Sequence, residues 1–325
     1  MNCLCYSGIK LLTGNSHSDL VDSIAKILRV TPIESEVTKF SDGEISVNIY
    51  ESVRGSDVFI IQSTSSPVND NLMELLILID AMKRASAGRI NAVIPYYGYA
   101  RQDRKTKARD PISAKLVANL IAAAGADRVI TMDLHCAQIQ GFFDIPVDHL
   151  VGMTMFKNHY TKKFEDMSNV VVVSPDLGST TRARQLADSI HSTVALVDKK
   201  RDKANESKVM NLIGDVKGKV AIMIDDMIDT GGSIVNAAEA VMNAGATEVH
   251  VCCTHGVFSG KALEKIEKSC IKEMVVLDTI APKRDKVIDK ITYLPVAYEF
   301  AEAISRIHDG RPMNDMFDEP NARYQ

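Results

Sequence analysis

The sequence predicts an α/β protein of two similar domains, each a parallel sheet flanked by helices. Three observations carry that prediction. Short runs rich in valine and isoleucine recur along the chain, as expected of strands buried on both faces. Amphipathic stretches of helical period separate them, so strand, crossover helix and strand alternate as in a doubly wound sheet. Finally, a strand–helix–strand passage in the first half returns, without gaps, in the second.

Taken in order, the apolar runs at 58–61, 92–94, 128–131, 170–173, 194–197, 220–224 and 249–252 read as strands. Each is short and rich in β-branched residues, whose restricted χ1 suits a pleated, crowded surface. The stretches 71–85, 113–124 and 233–244 carry apolar residues at helical spacing and read as helices between them.

Residues 113–135 and 233–255 align at one fixed offset. Both begin at serine, reach Ala-Gly-Ala, continue to a strand valine and end on histidine. Just upstream, 88–94 matches 218–224 with a longer connection in the first copy. Two domains of one fold follow, placed at 1–150 and 151–325. The copies differ at one point. The strand ending at Ile224 runs into Asp225-Asp226, whereas Ile94 runs into Pro95-Tyr96 and then an aromatic and basic loop.

Composition narrows the function classes. The chain has 325 residues, 46% hydrophobic and 25% charged, with a net charge of -4. That balance is ordinary for a soluble globular protein and argues against a nucleic-acid binder relying on overall positive charge. No apolar run approaches the roughly 20 residues needed to span a bilayer. No secretory pattern stands at the N-terminus. Cys3, Cys5, Cys136, Cys252, Cys253 and Cys270 follow no disulfide or zinc spacing. Reduced thiols and a cytoplasmic location are the expectation.

The segment 220–234 carries the chemistry. An apolar strand leads to Asp225 and Asp226, then to Asp229-Thr230-Gly231-Gly232-Ser233 and a helix. Ligands of open α/β sheets sit at the C-terminal ends of strands, where these acids emerge. Gly231 and Gly232 let the backbone approach an anion, and the helix beginning near Ser233 aims N–H groups and its positive end at it. Thr230 and Ser233 add hydroxyl donors. Carboxylates beside a phosphate cradle suit a ligand that also offers hydroxyls, as ribose does. A glycine-rich helix start with solvated acids is the plainer alternative, and the strand, paired acids and helix together favour binding.

This loop resembles the phosphoribosyl pyrophosphate signature shared by type I phosphoribosyltransferases and the synthetases that make their donor. Four more segments resemble class I ribose-phosphate pyrophosphokinases, the likeness running from about residue 11 to 306. They are Phe40-Ser41-Asp42-Gly43-Glu44, the stretch 99–104 with Arg101 and Gln102, Thr131-Met132-Asp133-Leu134-His135, and the charged stretch 196–206 with Lys199 and Arg201.

The resemblance implies a type I phosphoribosyltransferase-like fold in both domains. It implies an ATP site built from Arg101, Gln102 and a neighbouring subunit's Phe40, Asp42, Gly43 and Glu44. It implies Mg²⁺ held by His135 and Asp176, with Asp133 as a further ligand, and a closing loop with Lys199 and Arg201 as the catalytic pair. Ribose 5-phosphate would lie on Arg201, Asp225, Asp226, Asp229, Thr230, Gly231, Gly232 and Ser233. A homo-oligomer, a hexamer built from dimers, goes with the shared adenine site.

Two departures stand out. Leu177-Gly178-Ser179 occupies the pyrophosphate-loop position, where the family has two adjacent glycines after the aspartate. Lys107-Ala108-Arg109-Asp110-Pro111 stands where many members read Ser-Arg-Ala-Pro, beside the regulatory anion site. The expected reaction moves the pyrophosphoryl group of ATP to the C1 hydroxyl of ribose 5-phosphate, giving AMP. The rivals are a phosphoribosyltransferase using that product and a non-catalytic regulatory subunit. A dinucleotide dehydrogenase is weaker, since no Gly-x-Gly-x-x-Gly follows a strand.

Overall fold

The structure is a computed structural model that describes residues 6–200, 209–283, 286 and 288–317. In chain order its elements begin β1 (Ile9–Thr13), α1 (Ser18–Leu28), β2 (Ser35–Lys39), β3 (Ile45–Ile49), β4 (Asp57–Ile61), α2 (Val68–Arg84), β5 (Arg89–Ile94), α3 (Ser113–Ala124), β6 (Arg128–Met132) and β7 (Val147–Leu150). There follow α4 (Met153–Lys163), β8 (Val170–Ser174), α5 (Thr180–Ser189), β9 (Thr193–Lys200), β10 (Val209–Ile213), β11 (Val220–Ile228), α6 (Gly232–Asn243), β12 (Glu248–Gly256), α7 (Ala262–Lys268), β13 (Glu273–Leu277), β14 (Ile291–Leu294), α8 (Ala297–Asp309) and α9 (Asn314–Phe317).

In the first unit, β1-β4-β5-β6-β7 form a parallel sheet, with β2 and β3 as a separate antiparallel hairpin. Its strands are buried because both faces are covered. Leu75, Leu78, Ile79 and Met82 of α2 and Val117, Ala118 and Ile121 of α3 lie against Val58, Ile60, Ile90 and Ala92. Helices α1 and α8 pack together, burying Leu20, Val21 and Ile24 on one and Phe300, Ile304 and Ile307 on the other.

The second unit is a sheet ordered β10-β9-β8-β11-β12-β13-β14, parallel except for the β10–β9 pair. Four consecutive valines make β8 buried throughout, and Val171 and Val173 share a core with Met223, Ala237, Val241, Val251 and Ile266. Tyr160 of α4, fully buried, donates its hydroxyl to the Val251 carbonyl at 3.2 Å.

The expected strands and helices are all present, and the repeated passages become α3–β6 and α6–β12. Two features differ from expectation. Strand β11 does not stop at Ile224; it continues to Ile228, so Asp225 and Asp226 lie inside it. The cause is the length of β12, whose Cys253, His255 and Gly256 pair with Asp225, Met227 and Ile228. The second difference is at the C-terminus. The first unit runs to Val151 and includes Thr279–Ala281 and the chain from Pro295, while the second comprises Gly152–Asp278 and Pro282–Leu294. A continuous stretch from 151 onward is thus not one unit. The apolar side of α8 explains this, joined to Asp57: His308 Nδ1 lies 2.9 Å from Asp57 Oδ2, and Arg89 Nη2 donates to the Ile307 carbonyl at 3.0 Å.

Candidate active site

The loop between β11 and α6 is shaped by its backbone. Gly231, at φ +73°, is left-handed, a conformation glycine adopts at no steric cost. It caps α6, so the cap residue offers no side chain to the first-turn N–H groups, and no acid occupies that turn. The N–H groups of Gly232, Ser233 and Ile234 are therefore presented at the positive end of the helix, suited to a phosphate. Two backbone bonds pin the loop from behind: Phe258 N–H to Ile228 O at 3.0 Å and Ser259 N–H to Asp229 O at 3.0 Å. Lys265, on α7, reaches over and donates to the Thr230 carbonyl at 3.1 Å.

Beside this cradle stand the acids. Asp226 is buried and Asp225 half-buried. Burial first, and the neighbouring Asp226 charge second, push the Asp225 carboxyl up to about 7. Opposing that shift, the Ser179 hydroxyl donates to Asp225 Oδ1 at 2.6 Å. The Asp226 N–H donates to the same oxygen at 2.9 Å. Arg182 Nη1 lies 4.0 Å from Asp226 Oδ1. Asp176, just past the end of β8, accepts from the Ser179 N–H at 3.2 Å. The second unit thus brings together Asp176, Ser179, Arg182, Asp225 and Asp226 at the C-terminal ends of β8 and β11, with the anion cradle following.

Of the other expected residues, Arg101, Gln102, Asp133, His135 and the 40–44 stretch lie in the first unit. Arg101 and Gln102 are exposed in the turn after β5. There Tyr99 has φ +62°, and Gln102 N–H bonds Tyr99 O while its carbonyl accepts from Ala114 N–H. Asp133 and His135 follow β6. Asp133, with φ +40°, donates its N–H to Leu150 O at 3.0 Å, and His135 is exposed. Phe40, Asp42, Gly43 and Glu44 form the tip of the β2–β3 hairpin, closed by Phe40 N–H to Glu44 O at 2.8 Å, with the Phe40 side chain 59% exposed. Lys199 belongs to the backbone of β9; its side chain, and all of Arg201, lie outside the described residues.

Among the described residues, no group of three or more His, Cys, Asp or Glu side chains is arranged to hold a metal ion. Asp133, His135 and Asp176 carry donor atoms at strand ends, and Mg²⁺ needs few protein ligands because it retains waters and shares substrate phosphates. Sequence reasoning missed two contacts. Lys265 is remote in sequence from the loop it touches and carries no spacing signal. Ser179 was visible only as a departure from two adjacent glycines.

Residues 9–125 match the family described as the N-terminal domain of ribose phosphate pyrophosphokinase. Residues 202–318 match the phosphoribosyl synthetase-associated domain. A ribose-phosphate pyrophosphokinase from Clostridium perfringens is 62% identical over 310 residues, 95% of this chain and 97% of that protein. One from Caldanaerobacter subterraneus subsp. tengcongensis is 60% identical over 311 residues, 96% of this chain and 98% of that protein. The crystal structure of phosphoribosylpyrophosphate synthetase from Mycobacterium smegmatis superposes with a TM-score of 0.89 at 42% identity, covering 93% of this chain and 99% of that one. With the anion cradle and paired acids in place on a fold shared along nearly the whole chain, the protein belongs to the ribose-phosphate pyrophosphokinase family.

Proposed function

We propose that this chain transfers the pyrophosphoryl group of ATP to the C1 hydroxyl of ribose 5-phosphate, giving 5-phosphoribosyl 1-pyrophosphate and AMP for nucleotide biosynthesis. The observation that carries the reading is the uncapped start of α6 beside Asp225 and Asp226. The 5-phosphate rests on Thr230, Gly231, Gly232 and Ser233, where N–H groups and helix dipole favour an anion. Asp225, Asp226 and Asp229 face the ribose hydroxyls. ATP is held by Arg101 and Gln102, with Phe40, Asp42, Gly43 and Glu44 of a neighbouring copy closing on adenine.

The C1 hydroxyl oxygen attacks the β-phosphorus in line and loses its proton to water, as the bond from that phosphorus to the α,β-bridging oxygen breaks and that oxygen leaves with AMP. No protein nucleophile is needed; positioning and charge stabilisation lower the barrier. Lys199 and Arg201 bring positive charge to the transferring group. His135 and Asp176, with Asp133 as a third donor, would hold Mg²⁺, which neutralises phosphate charge when bound.

The proposal includes a homo-oligomer, a hexamer built from dimers, in which the exposed hairpin tip with Phe40 reaches the adenine site of a neighbouring copy. The cytoplasm, where ATP and sugar phosphates are available, is the proposed location. Among the described residues no helix is long and apolar enough to cross a membrane.

The test is to supply ATP, ribose 5-phosphate and Mg²⁺ and measure AMP. Turnover of the pyrophosphorylated sugar with a free base, without ATP, would favour the phosphoribosyltransferase instead. Silence alone, with altered activity of an added partner, would favour the regulatory subunit.

A further inference from the structure

Ser179 sits at the N-cap of α5, where a serine ordinarily turns its hydroxyl oxygen toward the N–H groups of the first turn. Here it makes no such bond. It is 3% exposed, and its hydroxyl instead donates to Asp225 Oδ1 at 2.6 Å. A capping contact that stabilises ordinary helices has been given up for a bond to a substrate-facing carboxylate. The rest of the loop holds Ser179 in place. Its N–H donates to Asp176 Oδ1, its carbonyl accepts from Ala183 N–H at 2.9 Å, and Thr180 Oγ1 bonds Leu177 O at 3.0 Å.

We propose that Ser179 is a positioning residue: its hydroxyl fixes the Asp225 carboxylate in the orientation that receives the ribose hydroxyls. Ser179 and the Asp226 N–H both donate to Oδ1. Two donors on one oxygen define the plane of the carboxylate, and neither uses the lone pairs of Oδ2. Arg182, one turn along α5 on the same side, stands near Asp226. The first turn of α5 therefore meets both acids of β11, and ties the loop from Asp176 to the ribose site. An alanine or glycine at 179 leaves the fold of the loop but frees Asp225 to rotate, which is paid in sugar binding and not in ATP binding.

This inference rests on the reading of Asp225 as a ribose ligand, so the experiment separates the two. Wild type, Ser179→Ala, Ser179→Gly, Asp225→Ala and the Ser179→Ala/Asp225→Ala double variant are titrated with ribose 5-phosphate by calorimetry and assayed for AMP. Ser179→Ala and Ser179→Gly are expected to raise both the Kd and the KM for ribose 5-phosphate by about five- to tenfold, less than the full loss of a hydrogen bond to a charged group because Asp225 itself remains. Their KM for ATP should rise clearly less than their KM for ribose 5-phosphate. In the Asp225→Ala background, which removes the acceptor, Ser179→Ala should add almost nothing, because the two act through one contact. An unchanged Kd in Ser179→Ala, or an equal rise in the KM for ATP, overturns the positioning role. A fully additive double variant does so as well. Wild-type protein that binds no ribose 5-phosphate overturns the functional reading itself.

Discussion

Asp225 has an ionisation set by its surroundings. Burial and the adjacent Asp226 raise it to about 7, while Ser179 pulls the other way. A buried acid of this kind is retained at a cost, and the cost is sensible where a ligand's hydroxyls need an acceptor. Replacing Asp225 by Ala should raise the KM for ribose 5-phosphate by about tenfold or more, the range for a hydrogen bond to a charged group, and leave the KM for ATP nearly unchanged. A parallel rise for ATP would contradict its place on the sugar. Lys265 makes a second test. A cation beside the positive end of α6 is unfavourable by itself, and an anion between them reverses the sign. Lys265→Ala should weaken ribose 5-phosphate binding severalfold, with a smaller loss at high salt; calorimetry at two ionic strengths reads it. Both acids and both glycines were legible in the sequence because a strand, a turn and a helix start left their marks on neighbouring residues. Lys265 was not, since only folding brings α7 over Thr230.

Among the elements, legibility followed burial for most strands, β13 being buried yet not read from its sequence. Strands β4, β5, β6, β8, β11 and β12 are apolar because both faces are covered, and their composition announces them. The β2–β3 hairpin, β10 and β14 escaped notice because they are short, exposed or mixed in polarity, as edges are. Buried polar groups were equally invisible. Asp57, fully buried on β4, takes Arg89 Nε at 2.8 Å, Asn91 Nδ2 at 2.8 Å and His308 Nδ1 at 2.9 Å, so it joins β4, β5 and α8. Asp57→Ala should destabilise the first unit by about 3–5 kcal/mol, because it strands buried partners; urea denaturation followed by circular dichroism measures it, and a loss under about 1 kcal/mol, the worth of a surface pair, would sink the claim. On β13, burial tends to raise the Glu273 carboxyl, but hydrogen bonds from His159, His250 and Lys163 outweigh it and hold the group well below the usual carboxylate range. A depressed carboxylate stabilises the fold above its unfolded value, about 4.3, and that contribution disappears as pH falls toward its folded value. The stability difference between wild type and Glu273→Gln should therefore be full at neutral pH and shrink below about pH 4.3. A difference that stays constant to pH 3 would contradict it.

At the scale of the molecule, the duplicated sheet explains how one fold carries two kinds of loop. At corresponding strand ends one unit presents Pro95, Tyr96 and the Arg101–Gln102 turn, and the other presents Asp225, Asp226 and the phosphate cradle. The repeat at 113–135 and 233–255 made this division visible before any coordinates. What the sequence did not disclose was that the chain from Pro295 returns to the first unit, because the pairing of α8 with α1 depends on side chains far apart in the chain. The central claim is that these loops serve pyrophosphoryl transfer to ribose 5-phosphate. Its most direct test is single-turnover conversion of ATP labelled at the β-phosphorus, with ribose 5-phosphate and Mg²⁺ present. The account predicts that AMP and a sugar carrying the labelled β-phosphorus at C1 appear together in equal amounts. ADP formed with the label retained on the nucleotide, or AMP formed without labelled sugar, would contradict it.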